Sequence, residues 1–233
     1  MSKIAVVLAG GAGRRMGRED NKVFLPLRGI PAIVRTIVPF SALCDSLVVV
    51  TRQGEEKAME RLLERFGLSR LVHRVVCGGE DRQASVRAGL EALPQDAEMV
   101  LVHDGARPLV TEAVIQRVIA SVQKRGSGIA AVPVTDTIKR AGADGQVRET
   151  LPRQELFAMQ TPQGFEVELL RRAHDRAAET GFVATDDAAL LEHAGIPVFL
   201  CQGDPENIKL TTPLDLALAE RILEARAEGE AGE

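Results

Sequence analysis

The sequence predicts an α/β fold in which a mostly parallel sheet is flanked by helices, and three observations support this prediction. Short apolar segments alternate with segments whose apolar residues recur at helical spacing. The first strand, residues 4–8, is five apolar residues without alternation, which is typical of a strand buried on both faces of a parallel sheet. Glycine-rich or charged loops follow several strands, at the sheet edge where such folds bind ligands.

The first half of the chain gives the elements in a regular order. Proline follows glycine at the start of the first predicted helix, and Asp81 or Glu80 and then Thr111 stand where later helices need N-caps. We predict strands over residues 46–51, 71–77, 99–103 and 129–134, and helices over residues 29–40, 54–66, 82–94 and 111–126.

The pattern changes after residue 134. Two short polar strands around Asp144-Gly145 predict a hairpin with too little apolar content for the middle of a sheet. Because an isolated two-stranded ribbon is marginally stable, we expect residues 135–156 to form a protruding arm that packs on a second copy of the chain. After the arm we predict helices over residues 167–178, from residue 185 and over residues 212–225, and a strand over residues 197–201. These elements complete a single domain, residues 1–226. We expect residues 227–233 to be a disordered acidic tail.

Composition excludes several classes of function. The 233 residues carry a net charge of −4 and include no Trp, no Tyr and seven Phe, so neither a general nucleic-acid surface nor a base-stacking platform is expected. No apolar run has the length of a membrane span, and the N-terminus lacks a signal-peptide pattern. Cys44, Cys77 and Cys201 are widely spaced and odd in number, which indicates buried free thiols in a reducing compartment and hence a cytoplasmic protein.

The loop after the first strand is the strongest candidate for a binding site. Its glycines allow a sharp turn close to a ligand, and Arg14, Arg15 and then Lys22 add positive charge, so the loop predicts an anion site, most plausibly for a phosphate. Met16 and Arg52 stand where a dinucleotide-binding motif needs a glycine and an acid, which disfavours an NAD-dependent enzyme, and the Gly-Lys-Ser/Thr of a P-loop is absent from the sequence. A tight turn with solvated arginines is the alternative.

Four further clusters stand out, and each has a purely structural alternative. Residues 78–85 fit either a nucleoside-binding helix start or an ordinary strand-to-helix turn. Asp104 could bind a metal, bind a substrate hydroxyl or cap a helix, whereas His103 is better explained as a packed histidine than as a base. Arg153, which stands before residues 160–163, is an isolated arginine that composition alone identifies as a solvated charge. Lys209 lies between apolar Ile208 and Leu210, and it could either extend to solvent or point into a phosphate site.

These motifs together resemble the 2-C-methyl-D-erythritol 4-phosphate cytidylyltransferases of the non-mevalonate isoprenoid pathway. The resemblance spans nearly the whole chain, and its seven motifs occur in the family's order. They are Ala9-Gly-Gly-Ala-Gly-Arg-Arg-Met16, Asn21-Lys-Val-Phe-Leu25, Gly78-Gly-Glu-Asp-Arg82, Val102-His-Asp-Gly-Ala-Arg-Pro108, Asp136-Thr-Ile-Lys139, Gln160-Thr-Pro-Gln163 and Asn207-Ile-Lys209. Gly10 stands where the family more often has alanine. Glycine at this position also occurs in the related ribitol-5-phosphate cytidylyltransferases and in molybdenum-cofactor nucleotidyltransferases.

The resemblance implies a Rossmann-like nucleotide-diphospho-sugar-transferase type of fold, CTP and Mg²⁺ as ligands, and a homodimer formed through the arm. The positions that resemble nucleotide-binding residues are Ala9, Gly10, Gly11, Gly79, Glu80 and Ser85. Those that resemble the catalytic cations are Arg15, Lys22, Lys209 and, from the arm of the neighbouring subunit, Arg153. Those that resemble residues near the acceptor are Asp104, Arg107, Thr137 and Thr161, with Asp104 also the candidate metal ligand.

The residue types suit the implied chemistry. A phosphate monoester is already a nucleophile near neutral pH, so the main obstacle is repulsion between two polyanions, which fixed cations and backbone N–H groups relieve. Two rivals stay open: a nucleotidyltransferase for ribitol 5-phosphate or another sugar phosphate, and a non-catalytic nucleotide-binding module. The second predicts damage to the cation set, whereas Arg15, Lys22, Arg153 and Lys209 are all present.

Overall fold

A seven-stranded sheet forms the centre of the molecule. The computed structural model describes residues 1–11 and 21–230. In this part of the chain the strands are β1 (Ser2–Leu8), β2 (Pro26–Leu27), β3 (Ile30–Pro31), β4 (Ser46–Thr51), β5 (Val72–Cys77), β6 (Ala97–Asp104), β7 (Ser127–Pro133), β8 (Lys139–Ala141), β9 (Val147–Thr150), β10 (Phe157–Glu166) and β11 (Leu200–Gln202). The sheet order is β11-β7-β10-β6-β1-β4-β5, in which β10 runs antiparallel to both neighbours and the other described pairs are parallel.

Helices cover both faces of this sheet. They are α1 (Ala32–Ile37), α2 (Glu56–Arg65), α3 (Arg82–Glu91), α4 (Glu112–Arg125), α5 (Val167–Thr180), α6 (Asp187–His193) and α7 (Pro213–Glu230). Successive side chains of β1 point to opposite faces: Ala5 and Val7 pack with α1, α2 and α4, whereas Ile4 and Val6 pack with α3, α5 and α6. The predicted α/β class, with its mostly parallel sheet, is therefore confirmed.

Most predicted element boundaries lie within a few residues of the observed ones. Asp81 is the N-cap of α3, and its side chain accepts a hydrogen bond from the Ala84 N–H group. The first helix is shorter than predicted, because residues 30–31 pair with residues 26–27 and the helix begins at Ala32. A 3₁₀ turn over residues 38–40 continues it to the predicted end.

Strand β10 is the main element that the sequence pattern did not predict. It lies between β6 and β7, although Pro162 cannot donate to a ladder and normally argues against a central strand. The structure accommodates the proline by interrupting the pairing with β7 between Met159 and Gln163. The side chains of Gln160 and Thr161 point into the protein at this interruption and make hydrogen bonds that are described below.

The predicted hairpin is confirmed as a separate sheet of β8 and β9 with exposed side chains. Gly145 occupies the turn with a φ of +78°, where a side chain would be strained. The last helix continues to Glu230 instead of ending near Ala225, so residues 227–230 are helical rather than part of a disordered tail. Ala, Glu and Arg are strong helix formers, which explains the extension.

The three cysteines are free thiols, but only Cys44 is buried as predicted. Cys77 is exposed at the end of β5, an edge strand of the sheet, and Cys201 is partly exposed.

No helix among the described residues is both long enough and apolar enough to cross a membrane.

Candidate active site

A cleft of about 490 Å³ opens at the carboxyl ends of β1, β4 and β6. This is the edge of a parallel sheet at which α/β proteins bind ligands. A smaller cleft of about 300 Å³ adjoins it and shares the walls at Gly10, Arg52 and residues 79–80. Described residues that line the larger cleft include Gly10, Gly11, Lys22, Arg52, Gly79, Glu80, Arg82, Ser85, Asp104 and Lys209. The structure therefore brings together eight sequence-predicted positions from five separate segments.

The start of the glycine loop runs along the end of β4. Ala9 is buried, and its N–H group donates to the Val50 carbonyl at 2.6 Å. A Cβ atom on Gly10 would meet the Thr51 backbone at 3.5 Å, an ordinary van der Waals distance. The backbone would therefore accommodate the alanine that is more frequent here in the family. Arg15, a predicted catalytic cation, lies outside the described residues, as do the other residues from 12 to 20.

The loop before α3 needs glycine because it packs directly against the helix. A Cβ atom on Gly79 would stand 2.4 Å from the Ala84 Cβ atom, so a side chain at this position would displace the loop or the helix. The Ser85 hydroxyl accepts from the Gly79 N–H group at 3.2 Å and donates to the Asp81 carbonyl at 2.8 Å. Ser85 thus lines the cleft and also fixes the backbone of the loop.

Asp104, the last residue of β6, forms the charged end of the cleft. Its Oδ2 atom lies 2.8 Å from Nζ of Lys209 and 3.7 Å from Nε of Arg107, and its Oδ1 atom lies 3.8 Å from Nε of Arg82. Burial alone would raise the pKa of Asp104, but Lys209, Arg82 and Arg107 lower it to about 2. The carboxylate is therefore ionised at neutral pH and faces three cations.

A chain of hydrogen bonds with one direction fixes His103. The Nε2 atom of His103 faces the Arg107 carbonyl at 3.3 Å. The Arg107 carbonyl can only accept, so it selects the tautomer of the neutral ring in which Nε2 carries the proton, and His103 Nδ1 then accepts from the Thr161 hydroxyl at 2.9 Å. The same hydroxyl accepts from the Asp104 N–H group at 3.0 Å. Burial lowers the pKa of His103 to about 4, so the imidazole is neutral. The prediction that His103 is a packed histidine rather than a base agrees with these contacts.

The predicted acceptor residues divide into two groups. Arg107 and Thr161 lie beside the cleft, but Arg107 donates to the Asn207 carbonyl at 2.7 Å, and Thr161 is buried with the hydroxyl partners given above. Thr137 and Arg153 lie instead near the base of the hairpin, where Arg153 Nη1 donates to the Thr135 carbonyl at 2.9 Å. The lining of the cleft, as far as the structure describes it, includes neither of them.

Sequence reasoning assigned no role to four residues that organise this end of the cleft. Arg82 Nη2 lies 2.7 Å from Oδ2 of Asp187, which is fully buried at the start of α6. This ion pair turns the arginine toward Asp104. Gln160 and Asn207 form a buried contact beneath Lys209. All four lie in motifs or helix starts that the sequence marked, but the contact of Arg82 with Asp187 spans 105 positions and that of Gln160 with Asn207 spans 47.

The described residues do not suit a metal ion held by the protein at Asp104. Within residues 1–11 and 21–230, no three His, Cys, Asp or Glu side chains lie together so that they could hold a metal. The Asp104 carboxylate is surrounded by the cations Lys209, Arg82 and Arg107, which would repel Mg²⁺. A protein-held Mg²⁺ would instead need several oxygen ligands.

Comparisons with known proteins agree on one family. Residues 3–225 match the family model described as IspD: 2-C-methyl-D-erythritol 4-phosphate cytidylyltransferase. A protein of that name from Thermosynechococcus vestitus is 46% identical over 227 residues, which cover 97% of each chain. Another, from Alkaliphilus metalliredigens, is 44% identical over 233 residues, which cover 98% of this chain and 96% of the relative.

Solved structures show the same relationship. The 4-diphosphocytidyl-2C-methyl-D-erythritol synthase of Anaerococcus prevotii superposes with a TM-score of 0.84 at 28% identity, over 96% of this chain and 98% of that one. The 2-C-methyl-D-erythritol 4-phosphate cytidylyltransferase of Thermus thermophilus superposes with a TM-score of 0.78 at 34% identity, over 95% and 98% of the two chains.

Proposed function

This chain belongs to the 2-C-methyl-D-erythritol 4-phosphate cytidylyltransferase family, and we propose that its cleft carries out the reaction for which the family is named. In that reaction CTP and 2-C-methyl-D-erythritol 4-phosphate give 4-diphosphocytidyl-2-C-methyl-D-erythritol and pyrophosphate. The protein is thus a nucleotidyltransferase of isoprenoid precursor biosynthesis.

One observation of the structure carries the assignment to this cleft. The ion pair between Asp104 and Lys209 lines the same cavity as the glycine loops at residues 10–11 and 79, at the carboxyl edge of the sheet. A nucleoside triphosphate has a neutral base at one end and a polyanion at the other. The lining of the cleft includes groups suited to each end, with the glycine loops for the nucleoside and Lys22, Arg82 and Lys209 for the phosphates.

The chemistry needs positioning and positive charge more than proton transfer. A phosphate oxygen of the acceptor attacks the α-phosphorus of CTP, the new P–O bond forms, and the bond from the α-phosphorus to the bridging oxygen breaks to release pyrophosphate. Negative charge grows on that bridging oxygen. Lys22 and Lys209, with Arg15 from the undescribed part of the loop, would stabilise it in the transition state. His103 is buried and neutral, which agrees with a mechanism that uses no general base.

The nucleotide end would use backbone groups. Gly10, Gly11 and Gly79 leave room for the base and the ribose to approach the main chain, and Glu80 and Ser85 lie on the same wall. Asp104 would receive the hydroxyl groups of the acceptor while it holds Lys209 in place. Arg107 and Thr161 would support that surface through the backbone contacts that they make in this structure.

A divalent cation belongs to the proposal as a companion of the triphosphate. Mg²⁺ characteristically binds substrate phosphates and keeps several waters, so it needs few protein ligands. When bound, it would neutralise charge on the transferred phosphate. The cations near Asp104 would contact phosphate oxygens that are not bound to the metal.

The hairpin completes the site if the protein is a homodimer. Arg153 and Thr137 lie away from the cleft of their own subunit, and Val147, Phe157 and Met159 are large apolar side chains exposed on or near the hairpin. We propose that this surface packs on a second copy, so that each arm offers Arg153 to the acceptor phosphate in the neighbouring cleft.

Mixed dimers test this arrangement. Arg153→Ala and Lys22→Ala subunits are each expected to be nearly inactive as homodimers. When they are mixed and re-equilibrated, one of the two sites in each mixed dimer regains both residues, so about a quarter of wild-type activity is expected. Absence of recovery in dimers that are shown to be mixed would contradict a shared site.

Pyrophosphate release with a panel of substrates tests the function itself. We expect turnover with CTP and 2-C-methyl-D-erythritol 4-phosphate to exceed turnover with UTP or GTP, and to exceed turnover of CTP with ribitol 5-phosphate. Preference for ribitol 5-phosphate would change the acceptor. Binding of CTP without turnover of any sugar phosphate would indicate a nucleotide-binding module.

A further inference from the structure

Two motifs of the sequence have residues that the reaction does not use directly. Gln160 belongs to residues 160–163 and Asn207 to residues 207–209, and both side chains are buried. Gln160 reaches from the interruption in β10 to the loop before Lys209. Its Nε2–H group donates to the Asp204 carbonyl at 2.8 Å, and its Oε1 atom accepts from the Asp204 N–H group at 3.2 Å. The side chain thus pairs with the loop backbone as a neighbouring strand would.

Asn207 extends this contact toward Lys209. Its Nδ2 group donates to the Thr161 carbonyl at 2.8 Å and to Gln160 Oε1 at 3.4 Å. On the other side of Lys209, the Leu210 N–H group donates to the Ala106 carbonyl at 2.8 Å. Lys209 is therefore carried by a short segment that is fixed two residues before it and one residue after it.

The same part of β10 holds the partner of Lys209. Thr161 accepts from the Asp104 N–H group through its hydroxyl, while its carbonyl accepts from Asn207. Residues 160–161 therefore contact Asp104 directly and also contact the segment that carries Lys209. Their position sets the distance between the Asp104 carboxylate and the Lys209 backbone.

The ion pair would not fix this geometry by itself. Lys209 is 41% exposed, and partly exposed ion pairs contribute only about 0–1 kcal/mol because water and salt screen them. The amide contacts are buried, and a buried amide that loses its partner is costly. The loop is therefore held by the amides rather than by the lysine.

We propose that Gln160 and Asn207 are positioning residues that hold Lys209 where it meets Asp104 and the triphosphate. The inference rests on the proposed function, because it assigns Lys209 to the transferred phosphate. It adds two residues that contact neither substrate and act through the lysine.

Near-isosteric variants test the proposal. Asn207→Asp removes both donated hydrogen bonds and places a carboxylate against two oxygen acceptors, so kcat/KM for CTP is expected to fall roughly 10- to 100-fold, the range expected for a misplacement of about 1 Å. Gln160→Glu loses the bond to the Asp204 carbonyl but keeps its acceptor, so its loss is expected to be smaller. In both variants most of the loss should appear in kcat.

A double-mutant cycle separates positioning from a general loss of structure. In a Lys209→Met background, Asn207→Asp and Gln160→Glu are expected to change kcat/KM by less than about twofold, because the residue through which they act is gone. Losses that multiply with the loss from Lys209→Met would overturn the proposal, as would wild-type kcat/KM in a folded Asn207→Asp variant.

Ser121→Ala provides a matched control, because Ser121 is buried and donates to the Ser127 carbonyl at 2.7 Å, away from the cleft. It is expected to lower the melting temperature while it keeps wild-type kcat/KM. If neither amide variant folds while the control does, the amides serve the fold and the proposal is overturned.

Failure of the proposed function is distinguishable. A wild-type protein that turns over no substrate would refute the proposed function. The double-mutant cycle would then be repeated with the Kd for CTP, measured for each variant, in place of kcat/KM. Multiplying losses in that Kd would overturn the positioning role as well.

Discussion

Two buried aspartates contact Arg82, and their surroundings differ. Asp104 faces Lys209 and Arg107 as well as Arg82, and its side chain is 11% exposed at the wall of the cleft. Asp187 is fully buried, and Arg82 is the only cation paired with it among the described residues. Its Oδ1 atom has no hydrogen-bond partner there.

The difference separates a residue of the site from an anchor beneath it. Burial raises the pKa of both carboxyl groups, but the three cations at Asp104 reverse the effect and lower its pKa to about 2. At Asp187 burial prevails, and the nearby Asp186 and Asp104 add to it, so its pKa is raised. Asp104 therefore offers a stable negative charge to the cleft, whereas Asp187 serves to orient Arg82.

The largest effect is expected at the cation that distinguishes Asp104 from Asp187. Lys209→Met is predicted to lower kcat for pyrophosphate release roughly 10²–10³-fold, by analogy with the loss of other preorganised groups that stabilise developing charge. The melting temperature should change little because Lys209 is partly exposed.

Lys124→Met is the matched control for this variant. Lys124 is exposed in the last turn of α4 and should tolerate the change with wild-type kcat. A Lys209→Met variant with wild-type kcat would remove the lysine from the mechanism and leave Asp104 with a structural role similar to that of Asp187.

The site shows where sequence reasoning succeeds and where it stops. The N-cap at Asp81, the helix ends at glycine and the loops that gather at the carboxyl edge follow from local rules that the sequence displays. The pairing of Arg82 with Asp187 spans 105 positions, and local spacing carries no information about such a contact.

Strand β10 was missed for a different reason. Pro162 breaks the strand pattern, and the polar residues beside it indicate a loop when they are considered alone. Only the completed sheet shows that they are buried because Gln160 and Thr161 bond to residues 204–207 and to Asp104. The interpretation of Thr161 as an acceptor-site residue depended on the family resemblance, and only the folded structure shows that both residues support the site.

Acid stability gives a second test of buried charge, with a smaller expected effect. Burial lowers the pKa of His103 and of His174 to about 4. Between pH 6.5 and pH 4 the unfolded chain therefore binds protons that the native imidazoles exclude. This proton binding favours the unfolded chain, so the free energy of unfolding keeps its full value above pH 6.5 and decreases as the pH falls toward 4. From pH 6.5 to pH 5 the loss is expected to be on the order of 2 kcal/mol for each histidine, and urea unfolding at several pH values would measure it.

The smallest effect is expected at His174, which resembles Asp187 in having a buried polar atom without a described partner. His103, in contrast, has partners at both ring nitrogens. His174→Leu is predicted to reduce the loss of stability between pH 6.5 and pH 5 by about 2 kcal/mol while kcat stays at the wild-type value. Unchanged pH dependence would mean that His174 is not the neutral, buried group described above.

The most direct test replaces each aspartate by its isosteric amide and measures both the free energy of unfolding and pyrophosphate release from CTP. Asp104→Asn is predicted to lower kcat about 10²-fold. It is also expected to cost about 2 kcal/mol of stability, because Lys209, Arg82 and Arg107 lose the negative charge that they stabilise. Asp187→Asn is predicted to cost about 3 kcal/mol of stability, because Arg82 loses its buried counter-charge. A larger loss of kcat in a folded Asp187→Asn variant than in Asp104→Asn would contradict the assignment of Asp104 to the site and Asp187 to its support.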